Sequence, residues 1–501
     1  MVARATRGEI IAMPPNPFLG VFLHAIGGFA AGSFYIPFKK VKKWAWESYW
    51  LAGGVFSWII APWVVAFIAC PDLVATLLSA PARNLFWCYL FGALWGIGGL
   101  TFGLSMRYLG MSLGYALSLG FCATFGTIIP PLFAGNVIDA VLEGQGLPAV
   151  LGLLHGNFMA TFTTVPGLIL SCGILVCLAG IATCGRAGMR KERELSAEQK
   201  KSAISEFSFV KGVWVAVFAG IMSSCMALAF AAGKPIAEHV VAAGTPDLCK
   251  NFPVLIVALA GGFTTNFIWC AALNVWNRTG RNYVSGGGAS LAANYLFAAL
   301  AGITWYLQFF FYSMGTTKMG RYDFSSWTIH MAFIIVFSNL WGIYFREWKG
   351  SSKRTHWIVL GGILVLVAST LVVGLGNYLG RPSVVKVAGL KWEQPPAALK
   401  PALSWALDLS DPAAHGQEQT AYQILVASSP DALEADDADL WDSGEVKSKR
   451  MLGIPYEGGT VEPRTCWAKL RVWDKDGRAS AWSEPVKGMT GPTPSSGPAP
   501  K

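Results

Sequence analysis

The sequence predicts an all-α polytopic membrane protein of ten transmembrane helices followed by a small all-β sandwich. Three observations carry that expectation. First, 53% of the 501 residues are hydrophobic and only 14% are charged, against roughly 25% charged in soluble domains. Second, ten apolar segments reach the length of about 20 residues that a bilayer core requires. Third, the texture changes after Arg381-Pro382, where short alternating runs replace the long apolar ones.

Residues 1–16 form a polar tail with Arg4 and Arg7. The apolar run that follows has spanning length and no small-residue cleavage site, so it reads as a first membrane helix and not as a removed leader. The ten segments lie near 17–37, 49–70, 85–105, 111–133, 163–184, 212–232, 253–276, 291–313, 326–345 and 356–378, within a domain of residues 17–380. "AIGGFAAGSF" and "GALWGIGGL" are rich in small residues, which let membrane helices approach closely.

Loops after odd-numbered segments carry 18 Lys and Arg, while the opposite side carries 7. The positive-inside rule therefore places odd-to-even loops in the cytoplasm and, with ten crossings, both termini outside. Ten helices divide as five plus five, the parity of an inverted repeat around a midplane site. The basic stretch "CGRAGMRKERELSAEQKKSAISEFSFVKG" falls at the joint. In "FKKVKKWAWE", four lysines beside Trp44 and Trp46 are explained by inside anchoring and an interfacial aromatic belt. "SGGGAS" lacks the Lys-Ser/Thr of a phosphate loop and reads as a flexible linker.

In residues 381–490, "TAYQILVASS", "CWAKLRVW" and "RASAWSEP" alternate in the manner of strands between Gly, Pro and Asp-rich turns, which predicts an antiparallel sandwich. Residues 491–501 are rich in Pro, Gly and Ser and are expected to be disordered. Many of the acidic groups, among them Asp408, Asp411, Asp431 and Glu434, sit in this last part. The formal +10 thus belongs mainly to the membrane loops, which argues for topology and against nucleic acid binding. Ten cysteines show no metal spacing; nine lie in or beside apolar segments, and Cys466 stands alone in the last part. No metal, cofactor or disulfide framework is expected.

Several blocks go further. "HAIGGFAAGSFYIPFKKVKKWAWESYW", "SWIIAPW", "FGALWGIGGLTFGLSMRYLGMSLGYAL", "AGKPIAEHVVAAG", "WYLQFFFY" and "YDFSSWTIHMAF" resemble the L-rhamnose–proton symporter family of the drug/metabolite transporter superfamily, over about residues 17–378. The resemblance implies a ten-helix carrier in the inner (plasma) membrane that imports L-rhamnose, or a related sugar, with a proton. A neutral sugar needs hydrogen-bonding groups in an apolar cavity and aromatic faces beside its ring. The intramembrane candidates are His24, Asn266, Asn294, Gln308, His330 and Asn339, with Trp95, Trp305 and Tyr306 as walls. Of these, His330, Gln308, Trp305, Asn266, Trp95 and His24 are the expected substrate contacts.

No Asp or Glu lies deep in a span; Glu47 and Asp323 sit at ends. That leaves His330 and His24, whose ordinary pKa near 6.5 suits proton coupling, although a membrane histidine can also simply bond a neighbouring carbonyl. Asp323 reads as a third coupling candidate or, preferably, as a helix-start residue. Lys234 and Glu238, four apart, read as a gate or as a solvated loop pair.

"LSWAL", "QEQTAYQILVASS", "LWDSGEV", "PYEGG" and "CWAKLRVWDKDGRASAWSEP" resemble the fibronectin-III-like domain at the N-terminus of bacterial α-L-rhamnosidases. That module does not carry the chemistry of those enzymes. Glycoside hydrolysis needs two placed carboxylates, whereas Asp474 and Asp476 flank a turn. Trp441, Trp473 and Trp482 are expected in the sandwich core, with glycan contact by one of them as the alternative. A non-enzymatic transporter is therefore expected, in contact with sugar, protons and the lipid bilayer. A membrane-bound sugar sensor or rhamnosyl-glycan-binding protein without transport is the competing reading.

Overall fold

A computed structural model describes residues 16–109, 111–133, 137, 140, 144–194, 208–285, 290–346, 348–380, 385–393, 400–408, 417–459, 464–475 and 477–490. Arg4, Arg7, the middle of the basic joint, the centre of "SGGGAS", the Arg381-Pro382 junction, Asp411, Asp476 and residues 491–501 lie outside them, as does the side chain of Arg107. The chain divides into two compact units, Met1–Tyr378 and Leu379–Lys501.

In the first unit, α1 is Pro17–Ser33, and α2 is the span Trp46–Ala69. Next come α3 Ala82–Leu109, α4 Met111–Leu132, α5 Leu147–Phe162 and α6 Val165–Glu194. The later helices are α7 Phe209–Ala232, α8 Phe252–Trp276, α9 Leu291–Thr316, α10 Ser326–Tyr344 and α11 Lys353–Leu379. Among the described residues nine helices are long and apolar enough to cross a membrane. Each overlies one of the ten expected segments, and the remaining segment coincides with α4. Large apolar side chains such as Ile68, Leu78, Trp214 and Trp276 face outward, as suits helices whose surroundings are lipid. The expectations omitted α5, which follows the close of α4: the amide of Asn157 donates to the Leu132 carbonyl.

The packing has an internal regularity. Helix α1 packs against α9 and α10, and α7 packs against α3 and α4. Likewise α2 packs on α9 while α8 packs on α3, and α2 meets α8. Exchanging α1, α2, α3, α4 and α6 with α7, α8, α9, α10 and α11 maps each of these pairings onto another or onto itself. The α6–α11 contact obeys the same exchange: a Cβ at Gly173 would meet Val373, and one at Gly376 would meet Leu170. Two five-helix halves are thus built alike, the glycines setting the close approaches.

The basic loops gather at one end. Lys39 lies over the Phe345 ring, Lys191 over Trp348, and the Lys42 amide donates to Asn294. The Ser208 amide donates to the Tyr108 carbonyl. Glu194 at the end of α6 accepts from the Ser352 N–H and hydroxyl ahead of α11 and from the Thr355 hydroxyl in its first turn. These bonds, the backbone one first, hold its carboxyl at about 2, well below the ordinary range. At the other end Thr164 meets Tyr322, and Leu132 packs with Tyr322 and Phe324.

Helix α2 contains a π-helical stretch, Val55–Ile60. Pro62 has no N–H to return to the Trp58 carbonyl, and the Ala61 N–H bonds Phe56 five residues back.

In the second unit, β1 Lys386–Glu393, β2 Ala402–Asp408 and β5 Ile454–Pro455 form one sheet in the order β1-β2-β5. The other sheet has β3 Ala421–Ala427, β4 Trp441–Asp442, β6 Thr465–Trp473 and β7 Val486–Met489, ordered β4-β3-β6-β7. All pairings are antiparallel. Cys466, Ala468, Leu470 and Val472 of β6 point into the core with Trp405, Tyr422 and Ile424, and burial pushes the Cys466 thiol up to about 11. The indole of Trp405 donates to Gln419, whose amide donates in turn to the carbonyls of Ser448 and Arg450. That spends the buried glutamine's capacity inside the fold.

The run "RASAWSEP" is not a regular strand. Trp473 and Ala479 make a lone bridge, and the hydroxyls of Ser480 and Ser483 accept from the Val472 and Leu470 N–H groups in place of a partner strand.

Candidate functional site

The interior of the first unit is built where the two halves meet. Helix α9 presents Trp305, Gln308, Phe309 and Tyr312 at spacings of three, four and seven, one helical face. Opposite stand Trp58 of the π-helical stretch and Trp95 of α3. Ring centroids are 5.5 Å apart for Trp58–Trp305 and 5.6 Å for Trp95–Trp305, and Trp95 reaches Phe309 at 5.8 Å. The spacing within "WYLQFFFY" carried the signal for Tyr312 and Phe309, which the candidate residues omitted. Trp58 had no such signal beyond its neighbour Pro62.

Tyr312 leads to the two histidines. Its ring lies 5.3 Å from His24 of α1 and 5.1 Å from His330 of α10, and the imidazoles are 6.3 Å apart. Both are fully buried, and none of the four ring nitrogens has a hydrogen-bond partner among the described residues. A buried polar atom left unpaired costs about 1–3 kcal/mol, so this is an expensive arrangement for a purely structural pair. Close packing holds it. A Cβ on Gly315 would lie 2.8 Å from the His24 ring, and one on Gly27 would lie 2.8 Å from the Gln308 carbonyl. Beside them the Trp327 indole donates to the Cys122 carbonyl, and the Thr127 and Thr328 hydroxyls meet at 2.5 Å.

The other candidates divide. Gln308 is buried on the same face of α9. Asn266 is occupied: its carbonyl accepts from the Trp50 indole and its amide donates to Gly262. It positions an aromatic wall instead of opening toward a cavity. Asn294 caps the loop after α1, Asn339 bonds its own helix, and Glu47 accepts from Asn277 and Thr279. Tyr306, one residue on from Trp305, points about 100° around the helix, its hydroxyl buried without a partner.

Asp323 lies in a 3-10 turn, Gly320–Ser325, ahead of α10. It is 2.8 Å from Lys234, so the ion pair of Lys234 bridges to another element and the spacing to Glu238 is incidental. Phe34, Trp50, Ser57, Trp58 and Trp305 line a cavity of only about 10 Å³, room for about one water.

In the second unit the indoles expected in the core are only partly buried. Arg471 lies over both Trp473 and Trp482, and Trp441 packs edge-on to Tyr456. Asp474 is a turn residue: it accepts from the Arg478 N–H and pairs with its guanidinium.

A polytopic bundle of two like halves, closed around polar groups at their junction, defines a membrane carrier architecture. Comparison with known proteins is specific. The family model "L-rhamnose-proton symport protein" matches residues 13–154 and 147–378, and the chain belongs to that family. It is 36% identical over 361 residues to the L-rhamnose-proton symporter of Cronobacter sakazakii, covering 72% of this chain and 97% of the relative. The symporter of Yersinia pestis gives the same figures. Residues 394–493 match the Rha78A-like N-terminal immunoglobulin domain. Among solved structures, Streptomyces avermitilis α-L-rhamnosidase complexed with L-rhamnose aligns at 38% identity over 22% of this chain and 11% of that enzyme, with a TM-score of 0.19.

Proposed function

We propose that this chain imports L-rhamnose, or a closely related sugar, together with a proton across the inner membrane, and that His24 and His330 hold both. The observation that carries the reading is the pair of imidazoles at the junction of the halves with unpaired ring nitrogens. Sugar hydroxyls donate and accept, so they satisfy a neutral imidazole's one donor and one acceptor. Trp58, Trp95 and Trp305 offer faces to the apolar side of the ring. Either histidine can take up a proton in a conformation open to water, and Asp323, paired to Lys234, stands at the end of α10 through which protons would arrive.

The two like halves fit alternating access by rocking of one half against the other. On this reading α4 is a crossing helix, which makes ten, and the gathered basic end is cytoplasmic. The sandwich then lies outside the membrane, where glycan contact is open to it. Uptake of labelled L-rhamnose into vesicles tests the core of the reading: it should rise with an imposed proton gradient, and absence of uptake in either condition would end it. Protease accessibility of the second unit in spheroplasts tests its side.

A further inference from the structure

The connection between α10 and α11 borders an open cavity that the transport reading does not use. It measures about 340 Å³ and is lined by Ile343, Arg346, Trp348, Lys349 and His356. Among the described residues no lining residue is acidic and no carboxylate pairs with Arg346 or Lys349. The nearby Glu194 is consumed by Ser352, Thr355 and Arg190. Arg346 holds a left-handed backbone with φ of 57°, a conformation a non-glycine residue adopts at a cost. Trp348, buried beneath Lys191, forms an apolar floor.

Position gives the kind of ligand. The cavity lies between the last residue of α10, Tyr344, and the first of α11, Lys353, which is the level of the bilayer interface. Tyr344 and Trp357 beside it are 72% and 71% exposed, and Leu364, about two turns deeper from Trp357, is 61% exposed. We propose that this cavity binds the phosphate headgroup of an anionic phospholipid, with Arg346 and Lys349 on the phosphate and the acyl chains on the exposed face of α11. Guanidinium and ammonium donors suit phosphate oxygens, and headgroup pockets of this composition occur between membrane helices on the basic side.

The test uses the full chain and does not depend on transport. Purified protein is exposed to equal phosphatidylglycerol and phosphatidylcholine, and retained lipid is measured by native mass spectrometry. Wild type should favour phosphatidylglycerol by roughly fivefold. R346Q/K349Q should fall close to parity, whereas K40Q/K43Q, which removes the same charge from another loop, should keep the preference. Should R346Q/K349Q not fold, phosphatidylglycerol with a photoreactive headgroup maps the site on wild type, and adducts should fall within residues 343–360. Equal retention by wild type, an undiminished preference in R346Q/K349Q, or adducts confined to residues 39–45 would overturn the proposal. Displacement of the lipid by millimolar inorganic phosphate would overturn the lipid assignment in favour of a soluble phosphate.

Discussion

Replacing His330 by phenylalanine separates a binding role from a structural one. The phenyl ring is planar like imidazole, though larger by one ring atom, and would keep the contacts to Tyr312 at 5.1 Å and Phe309 at 6.1 Å. It removes two buried nitrogens that have no partner among the described residues. Relief of about 1–3 kcal/mol for each unsatisfied group offsets the overpacking cost of the larger ring, also about 1–3 kcal/mol, so the thermal midpoint of H330F should stay close to that of wild type. Sugar binding should fall. Two lost hydrogen bonds at about 0.5–1.5 kcal/mol each weaken binding by about 5- to 150-fold. Uptake at subsaturating L-rhamnose and thermal unfolding of the purified protein are measured together. H330F that transports within twofold of wild type would refute the assignment.

Other consequences are as direct. Gly315→Ala places a methyl 2.8 Å from the His24 ring; overpacking of that kind costs about 1–3 kcal/mol, so uptake should drop about fivefold or more. Gly361→Ala, where a Cβ meets nothing within 4 Å, should leave uptake unchanged. Lys234→Gln breaks the pair with Asp323, whose side chains are 59% and 25% exposed. Such pairs contribute about 0–1 kcal/mol, so uptake should change less than fivefold, and the exchanged pair K234D/D323K should restore it. Glu194 is held near 2 by its hydrogen bonds, below its unfolded value. Its stabilisation is therefore full above the ordinary carboxyl range and is lost as pH falls through about 2. Glu194→Gln should lower the thermal midpoint at pH 7, and the gap from wild type should narrow on acidification.

Both histidines were conspicuous in the sequence because a titratable residue within an apolar run stands out. Their meeting was not, since it depends on α1 lying between α9 and α10 and on the lack of a Cβ at Gly315 and Gly27. Asn266 was equally conspicuous, yet the Trp50 indole claims its carbonyl. Only the fold can say whether a buried amide is open or spent. Tyr312 lay within reach through helical periodicity in "WYLQFFFY". Trp58 did not, because the π-helical turn that aims it follows from a hydrogen-bond register around Pro62.

The sequence by itself determined the membrane character, the positions of the long helices, the sandwich that follows them and the uneven loop charge, all of which follow from local composition and from period 3.6 or 2. Tertiary structure alone decided which helices are neighbours, which polar groups are left without partners, and that Lys234 bonds Asp323 instead of Glu238. It also decided that the returning arm after Trp473 closes β6 through Ser480 and Ser483 hydroxyls instead of a strand. The physical reason is common to these cases: hydrogen bonds and close packing between distant segments depend on distances of a few ångströms, and those distances are set by the bundle and the sandwich as wholes.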